Sequence, residues 1–320
     1  EALQKMPEVN LYALCDTAKD DRAEKLKVKY GTPETKIVAD YKDLLGDPQI
    51  DAVIITTPDH THCQITCDFL RDGKPVLLEK PMALKKEDCE ELLKVSKETG
   101  TMLMVGQVCR YNHNFVQAKR LIETGTLGDL VFVESEYAHS YEMNPGTDNW
   151  RVHPDREAII GGGCHAIDLL RWIAGNPTEV TAYANHKYLP DWPVNDTTVA
   201  IYKFPNDVIG KVFCSIGVKR AYTMRTVIYG TKGELRLYDH PQYSVRQINR
   251  DGTRIDYQID QIQTNDNQTK SGIIDLWMES LVENKAPEIS GESALAAMRA
   301  VFASIQSSET GKTVEIPENK

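Results

Sequence analysis

The first third of this 320-residue chain alternates apolar runs of strand length with amphipathic stretches, and that alternation restricts the fold more than any other feature. Ile50-Asp51-Ala52-Val53-Ile54-Ile55-Thr56, Pro75-Val76-Leu77-Leu78 and Met102-Leu103-Met104-Val105-Gly106 are aliphatic runs too short for helices. Between them the pattern predicts helices over Gln64 to Asp72, capped by Thr57-Pro58-Asp59-His60-Thr61-His62, and over Lys86 to Thr99. Upstream, Glu1 to Met6 reads as the last turns of a helix and Val9 to Cys15 as a strand ending at Asp16. A helix over Asp20 to Tyr30 follows, with Ala23, Leu26 and Tyr30 on its apolar side. Ile37 to Ala39 then reads as a short strand or turn and Tyr41 to Leu45 as a brief helix. Repeated strand–helix–strand units require parallel strands joined by right-handed crossovers.

The pattern changes between Gln107 and His113. After a helix from Phe115 to Glu123, strands are predicted at Leu130 to Ala138, Val180 to Tyr188, Thr197 to Phe204, Ile209 to Gly217 and Arg225 to Tyr229. Consecutive strands without helices between them pair antiparallel. A helix opening at His165 is expected to cover one face, and helices near Ile273 to Glu283 and Glu292 to Ser307 close the chain. The expectation is two domains: residues 1–105 as α/β with a parallel sheet, and 106–320 as α+β on a large open, mostly antiparallel sheet, with the final helix able to pack back on the first domain.

A net charge of −10 with no basic stripe argues against a nucleic-acid partner. No apolar run is long enough to span a membrane, and 41% hydrophobic with 26% charged residues is the balance of a soluble globular chain. The seven cysteines lie in apolar or helical contexts without a secretory signal, which reads as reduced and cytoplasmic. Cys63 and Cys67 are one helical turn apart, but no second pair follows at zinc-site spacing, so core packing is expected and no metal.

Two segments carry chemistry. Glu79-Lys80-Pro81 directly follows a buried strand, and in a parallel sheet ligands bind beyond the carboxyl ends of the strands, so Lys80 faces a crevice. Further on, Gly161-Gly162-Gly163-Cys164-His165-Ala166-Ile167-Asp168-Leu169-Leu170-Arg171-Trp172 reads as a glycine hinge feeding a helix that opens on a histidine. Together these resemble the Gfo/Idh/MocA family of nicotinamide-dependent sugar and cyclitol oxidoreductases. The likeness covers nearly the entire chain, extending to Asn195-Asp196-Thr197, Phe204-Pro205-Asn206 and Tyr229 to Leu235. It implies a Rossmann-type first domain, NAD as cofactor, a small carbohydrate or cyclitol substrate, and a homodimer or homotetramer.

In a dinucleotide-type unit, Asp16 at its strand end would accept hydrogen bonds from the ribose hydroxyls and repel a 2′-phosphate, favouring NAD over NADP. It could equally cap the following helix, and Lys19 and Arg22 stand close enough to soften the preference. The Gly-rich G-x-G-x-x-G turn is not in this sequence. Either roughly 20–30 residues of a complete βαβ start precede Glu1 or the protein binds no dinucleotide; the first is expected, since losing a central strand would expose two sheet edges. Thr56, Pro58 and His62 resemble the family's strand-end segment beside the nicotinamide and ribose, with a satisfied helix-start histidine as the other reading of His62. The resemblance implies that Lys80 bonds the reacting hydroxyl, with Glu79 beside it and a peptide bond before Pro81 that is often cis. Gln107, Arg110 and Tyr111 resemble the linker near the nicotinamide; Arg110 could instead form an ion pair between domains.

Oxidising a secondary alcohol needs a base for the hydroxyl proton and a cation for the developing alkoxide. His165 and Lys80 meet that need. His165, Asp168, Arg171 and Trp172 match the family's H-x-x-D-x-x-R-W pattern, yet Gly161 stands where the resemblance implies an aspartate partner for His165. His165 then acts alone or borrows His139 or Tyr137. Asp168 is expected to anchor His165 or bind a substrate hydroxyl, Trp172 to line the same pocket, and Cys164 to be a small packed residue. Trp150, Arg151 and His153 resemble a substrate-proximal segment, where an aromatic face beside polar donors suits a sugar ring; Trp192 could serve likewise or belong to a subunit contact. The leading expectation is an NAD-dependent oxidoreductase acting on a secondary hydroxyl of a sugar, glycoside or cyclitol. Two alternatives stand beside it: a redox-neutral lyase or glycosidase using NAD transiently, and a non-catalytic binding protein of the same fold.

Overall fold

The computed structural model describes residues 2–141, 150–219, 222, 224–240, 243–257 and 272–317. Its first part is a parallel sheet in two pieces. Strands β1 (Ala13–Cys15) and β2 (Lys36–Val38) pair with each other, and β3 (Val53–Ile55), β4 (Val76–Leu78) and β5 (Leu103–Val105) form a second piece in that order. Helix α1 (Glu24–Tyr30) follows a π-type turn at Lys19–Ala23; α2 (His62–Arg71) and α3 (Lys86–Thr99) are the crossovers joining β3 to β4 and β4 to β5. Strand β4 is buried on both faces, as a central parallel strand must be, and Val76 and Leu78 pack with Phe69 and Leu70 of α2 and Leu92 and Val95 of α3. The α3 helix ends on Gly100 at φ 66°, the left-handed conformation that lets the chain turn directly into β5. Near the N-terminus the structure is more modest than expected. Leu3–Lys5 forms a single 3₁₀ turn, and only the last three residues of Val9 to Cys15 are a strand.

Helix α4 (His113–Glu123), capped by the Asn112 side chain on the Asn114 N–H at 3.0 Å, leads into a nine-stranded sheet. Its strands are β6 (Leu130–Ala138), β7 (Glu179–Asn185), β8 (Thr197–Lys203), β9 (Ile209–Ser215), β10 (Thr226–Gly230), β11 (Gly233–His240), β12 (Tyr243–Asn249), β13 (Arg254–Tyr257) and β14 (Val314–Glu315). Their order is β13-β12-β11-β10-β6-β9-β8-β7-β14. All pairs are antiparallel except β6 with β9, because the chain passes through helix α5 (Cys164–Ala174) and the β7–β8 hairpin before returning beside β6. Strands β11 to β13 and β14 were not anticipated from the sequence. The alternation of Leu235, Leu237 and Val245 with Glu234, Arg236 and Arg246 is the signal that locates the longer two.

One sheet face, carrying Ala182, Tyr202, Val212, Val133 and Tyr137, packs on α5 and α7 (Gly291–Thr310). The Tyr202 hydroxyl is 2.7 Å from Ser304 Oγ, and the Ala182 N–H donates to Ser307 Oγ at 2.9 Å. The last part of the chain also returns to the parallel sheet. Helix α6 (Ile273–Glu283) packs Ile273 and Trp277 on Leu77, Met104 and Val108, and the Val105 N–H donates to Ile289 O at 3.1 Å. The helix that carries His165 does not open at that residue. A π-type turn over Ile159–Gly163 runs straight into α5, so the three glycines lie inside a continuous helical segment instead of forming a hinge.

Candidate active site

Those glycines are required by what presses on them. A Cβ on Gly161 would lie 2.2 Å from Arg156 Nη1, and one on Gly162 would lie 2.1 Å from the Tyr137 ring. The bare helical turn admits a guanidinium on one residue and an aromatic ring on the next. Lys80, at the end of β4 before the cis Lys80–Pro81 bond, donates from Nζ to Gly161 O at 3.2 Å. The strand end and the turn preceding His165 are thus joined directly. Burial alone pushes the Lys80 amine down, but the surrounding acidic groups, Cys164, Glu79 and Tyr141, outweigh it and hold the amine above its ordinary value. Lys80 is therefore a cation at neutral pH.

His165 is 4% exposed, its Nδ1 is buried without a hydrogen-bond partner, and its ring stacks on Tyr137 with centroids 6.2 Å apart. Burial, and secondarily the charge of Lys80, hold it well below the ordinary imidazole range, so it is neutral at pH 7. The Tyr137 hydroxyl lies 3.0 Å from His139 Nε2 and 3.3 Å from the Tyr141 hydroxyl. Tyr137 thus stacks on His165, and His139 stands behind it on the Tyr137 hydroxyl. Cys164 is fully buried and its thiol is pushed up to about 11 by burial, the behaviour of a packed residue.

Asp168 does not anchor His165. Its carboxylate accepts from Arg110 Nε at 2.7 Å and Nη2 at 2.5 Å, with Arg171 Nη1 3.5 Å away. Arg110 also donates to Ser293 Oγ and Arg171 to Ser293 O, so this buried knot ties the linker after β5 to α5 and to the start of α7. Arg110 spends its guanidinium on that ion pair, as the alternative reading of this residue expected. Trp172 likewise points elsewhere, donating from Nε1 to Glu288 at 2.8 Å. His62 is fully buried, with its ring nitrogens 2.9 Å from Pro81 O and 3.0 Å from Thr57 O. It braces the loops after β3 and β4 against each other, which is the satisfied-histidine alternative.

At the cofactor end, Thr56 and Pro58 follow β3, Glu79 follows β4 and Gln107 follows β5, all at carboxyl ends of the parallel strands. Glu79 lies against Gly106, where a Cβ would meet Glu79 Oε2 at 2.7 Å. Gln107 is buried with both amide atoms unpartnered, an orphaned donor and acceptor side by side. Such a pair fits the carboxamide of a nicotinamide. Asp16 accepts the Ala18 N–H at 2.7 Å and an Arg22 fork at 2.8 and 3.0 Å, which holds its carboxyl below the usual range. It is both a local cap and an acceptor at the strand end.

Beside the turn at Gly161 stand two residues that the sequence did not single out, Arg156 and Asp59. Arg156 Nε is 2.5 Å from Asp59 Oδ2 in a buried pair. Its guanidinium stands 5.0 Å from the Trp150 ring and 5.8 Å from Tyr141, while that of Arg151 stands 4.5 and 5.7 Å from the same rings. The only sequence signal for Arg156 was indirect: a glycine at position 161 leaves space that something must fill. Trp192 contacts Tyr141 at 5.9 Å on the edge of this aromatic group.

His139 sets a measurable pH dependence. Burial, then Arg151 and Lys80, push it from 6.5 to about 4, so between those values the unfolded chain binds more protons than the folded one. Stability is present above pH 6.5 and is lost as pH falls toward 4. Burial lowers His62 and His165 too, so the slope is shared. Urea unfolding at pH 7 and pH 5 is expected to give a smaller stability difference for His139→Gln than for the parent chain. Equal differences would mean that His139 titrates normally.

Two models of one family match the chain: the oxidoreductase family with an NAD-binding Rossmann fold over residues 1–107, and the GFO/IDH/MocA C-terminal domain over 115–236. The chain is 30% identical to an uncharacterized oxidoreductase of Schizosaccharomyces pombe over 68% of its own length and 61% of that protein's. It is 24% identical to the myo-inositol 2-dehydrogenase of Thermotoga maritima over 99% of its length and 94% of that protein's. It therefore spans about three fifths of the S. pombe relative. The crystal structure of myo-inositol 2-dehydrogenase from Lactobacillus plantarum shares the fold at 22% identity with a TM-score of 0.81, covering 98% of this chain and 94% of that one. Among the described residues no helix is long and apolar enough to cross a membrane. With both halves matched in sequence and fold, the chain belongs to the Gfo/Idh/MocA family of oxidoreductases and is related to the inositol dehydrogenases.

Proposed function

We propose that this protein is an NAD-dependent dehydrogenase acting on a secondary hydroxyl of a sugar, glycoside or cyclitol. The observation that carries the reading is the bond from Lys80 to Gly161 O, which sets a protonated amine at the turn leading into a neutral His165 whose Nδ1 is buried without a partner. Lys80 donates a hydrogen bond to the reacting oxygen and stabilises negative charge as the hydroxyl proton leaves. His165 receives that proton, and its depressed basicity keeps the imidazole free to do so across the neutral range. Tyr137 holds the ring from one side, and its hydroxyl continues toward His139. NAD, when bound, supplies the hydride acceptor. Asp16, Thr56, Pro58, Glu79 and Gln107 are the residues that would hold it, and Asp16 disfavours NADP while Arg22 softens that preference. His62 and Arg110 act through the framework.

The chain is expected to be a cytoplasmic homo-oligomer with reduced thiols. Tyr183, Ile201, Ile209 and Tyr229 share the outer sheet face and are 39–75% exposed, an apolar surface suited to a second copy. The test is incubation of the purified full chain with NAD and a panel of polyols that includes myo-inositol, following NADH absorbance. One NADH per ketone product is the expected result. Product formed without net NADH would move the reading to the redox-neutral alternative, and no conversion of any polyol would overturn it.

A further inference from the structure

The geometry around Gly161 points to an anionic substrate: we infer that the polyol carries a carboxylate or phosphate group, bound by Arg151 and Arg156 against the rings of Trp150 and Tyr141. This rests on the dehydrogenase reading and narrows its substrate class.

Two guanidinium groups share one aromatic pair, both within 4.5–5.8 Å of the same two rings. Cations on a common π surface are each attracted by the ring but repel one another. Among the described residues only one of them is paired with a carboxylate. Arg156, 2% exposed, bonds Asp59 through Nε, and its Nη1 is buried with no acceptor. Arg151 has no ion pair with a carboxylate among the described residues. Lys80 adds a third positive charge on the same turn, since its Nζ bonds Gly161 O and the Arg156 guanidinium lies over Gly161 Cα. Among the described residues around this turn, Lys80, Arg151 and Arg156 face Asp59 and Glu79, while His139 and His165 are held neutral. The balance is positive and partly desolvated.

A buried guanidinium with an unmet N–H is costly, and an oxyanion is the ligand that meets it, because a carboxylate or phosphate accepts the paired N–H groups that a guanidinium presents. A guanidinium occupies the space over Gly161, and its positive charge favours a negative charge on the substrate.

The experiment is calorimetric titration of the full chain, with NAD present, using glucuronate, galacturonate, gluconate, glucose 6-phosphate, glucose and myo-inositol at low and high salt. At least one acidic sugar is expected to bind roughly tenfold or more tightly than the neutral ones, with an advantage that shrinks as salt rises. Preference for the acids over glucose 6-phosphate identifies a carboxylate site, and the reverse a phosphate site. Arg151→Gln is expected to abolish the advantage. So is the double variant Arg156→Met with Asp59→Asn, which removes both members of the buried pair and leaves no orphaned charge. Neutral sugars binding as tightly as acidic ones, or Arg151→Gln retaining the preference, overturns the inference. If glucose or myo-inositol is bound and oxidised without such preference, only this inference falls; if no sugar is bound or oxidised, the dehydrogenase reading falls with it.

Discussion

Lys80→Ala is expected to lower kcat/KM for polyol oxidation by roughly 100- to 1,000-fold while leaving the protein folded. The kinetic loss follows from removing a preformed donor aimed at the oxygen where charge develops. The fold survives because, among the described residues, the one hydrogen bond of Lys80 goes to Gly161 O, and because its ammonium and the Arg156 guanidinium repel. A second readout separates this role from a structural one. Lys80 helps hold His165 below its ordinary range, so in the variant the imidazole titrates at higher pH, observable by NMR of the ring protons. A variant that turns over at the parent rate would remove Lys80 from the reaction.

The largest stability effect is expected at Asp168. Asp168→Ala leaves the buried guanidinium groups of Arg110 and Arg171 facing each other without their shared carboxylate, a change that costs about 3–5 kcal/mol. Burial and the neighbouring Arg110 already hold Arg171 down to about 10 even with Asp168 in place. The loss is read from urea unfolding of the parent and variant. The same measurement on Asp168→Asn, which keeps the shape and removes the charge, reports the electrostatic share. A variant with unchanged stability would show that the knot between the linker, α5 and α7 carries no weight.

The two predictions divide between a residue whose position was readable in the sequence and one whose role was not. Lys80 was placed at a strand end by the apolar run before it, because a buried parallel strand can end in only one kind of place. Asp168 was correctly put on the helix face of His165, but helical spacing reports which residues share a face, not which partner across the interface claims them. Arg110 is 58 residues away in sequence and reaches Asp168 only after the linker folds against α5. His62 was ambiguous for the same reason, since its two carbonyl partners come from different loops. Arg156 escaped notice because nothing local marks an arginine whose partner, Asp59, lies 97 residues earlier.

Local periodicity, strand-end motifs and the glycine run were enough to point to the parallel first half, the mostly antiparallel second half and the family, because each depends on residues close together in the chain. The tertiary structure alone decided that Asp168 and Arg110 pair with each other, that β6 and β9 run parallel, and that a guanidinium occupies the space over Gly161. Those outcomes depend on long-range desolvation and charge pairing, where a side chain's role is set by whichever distant group satisfies it once water is gone.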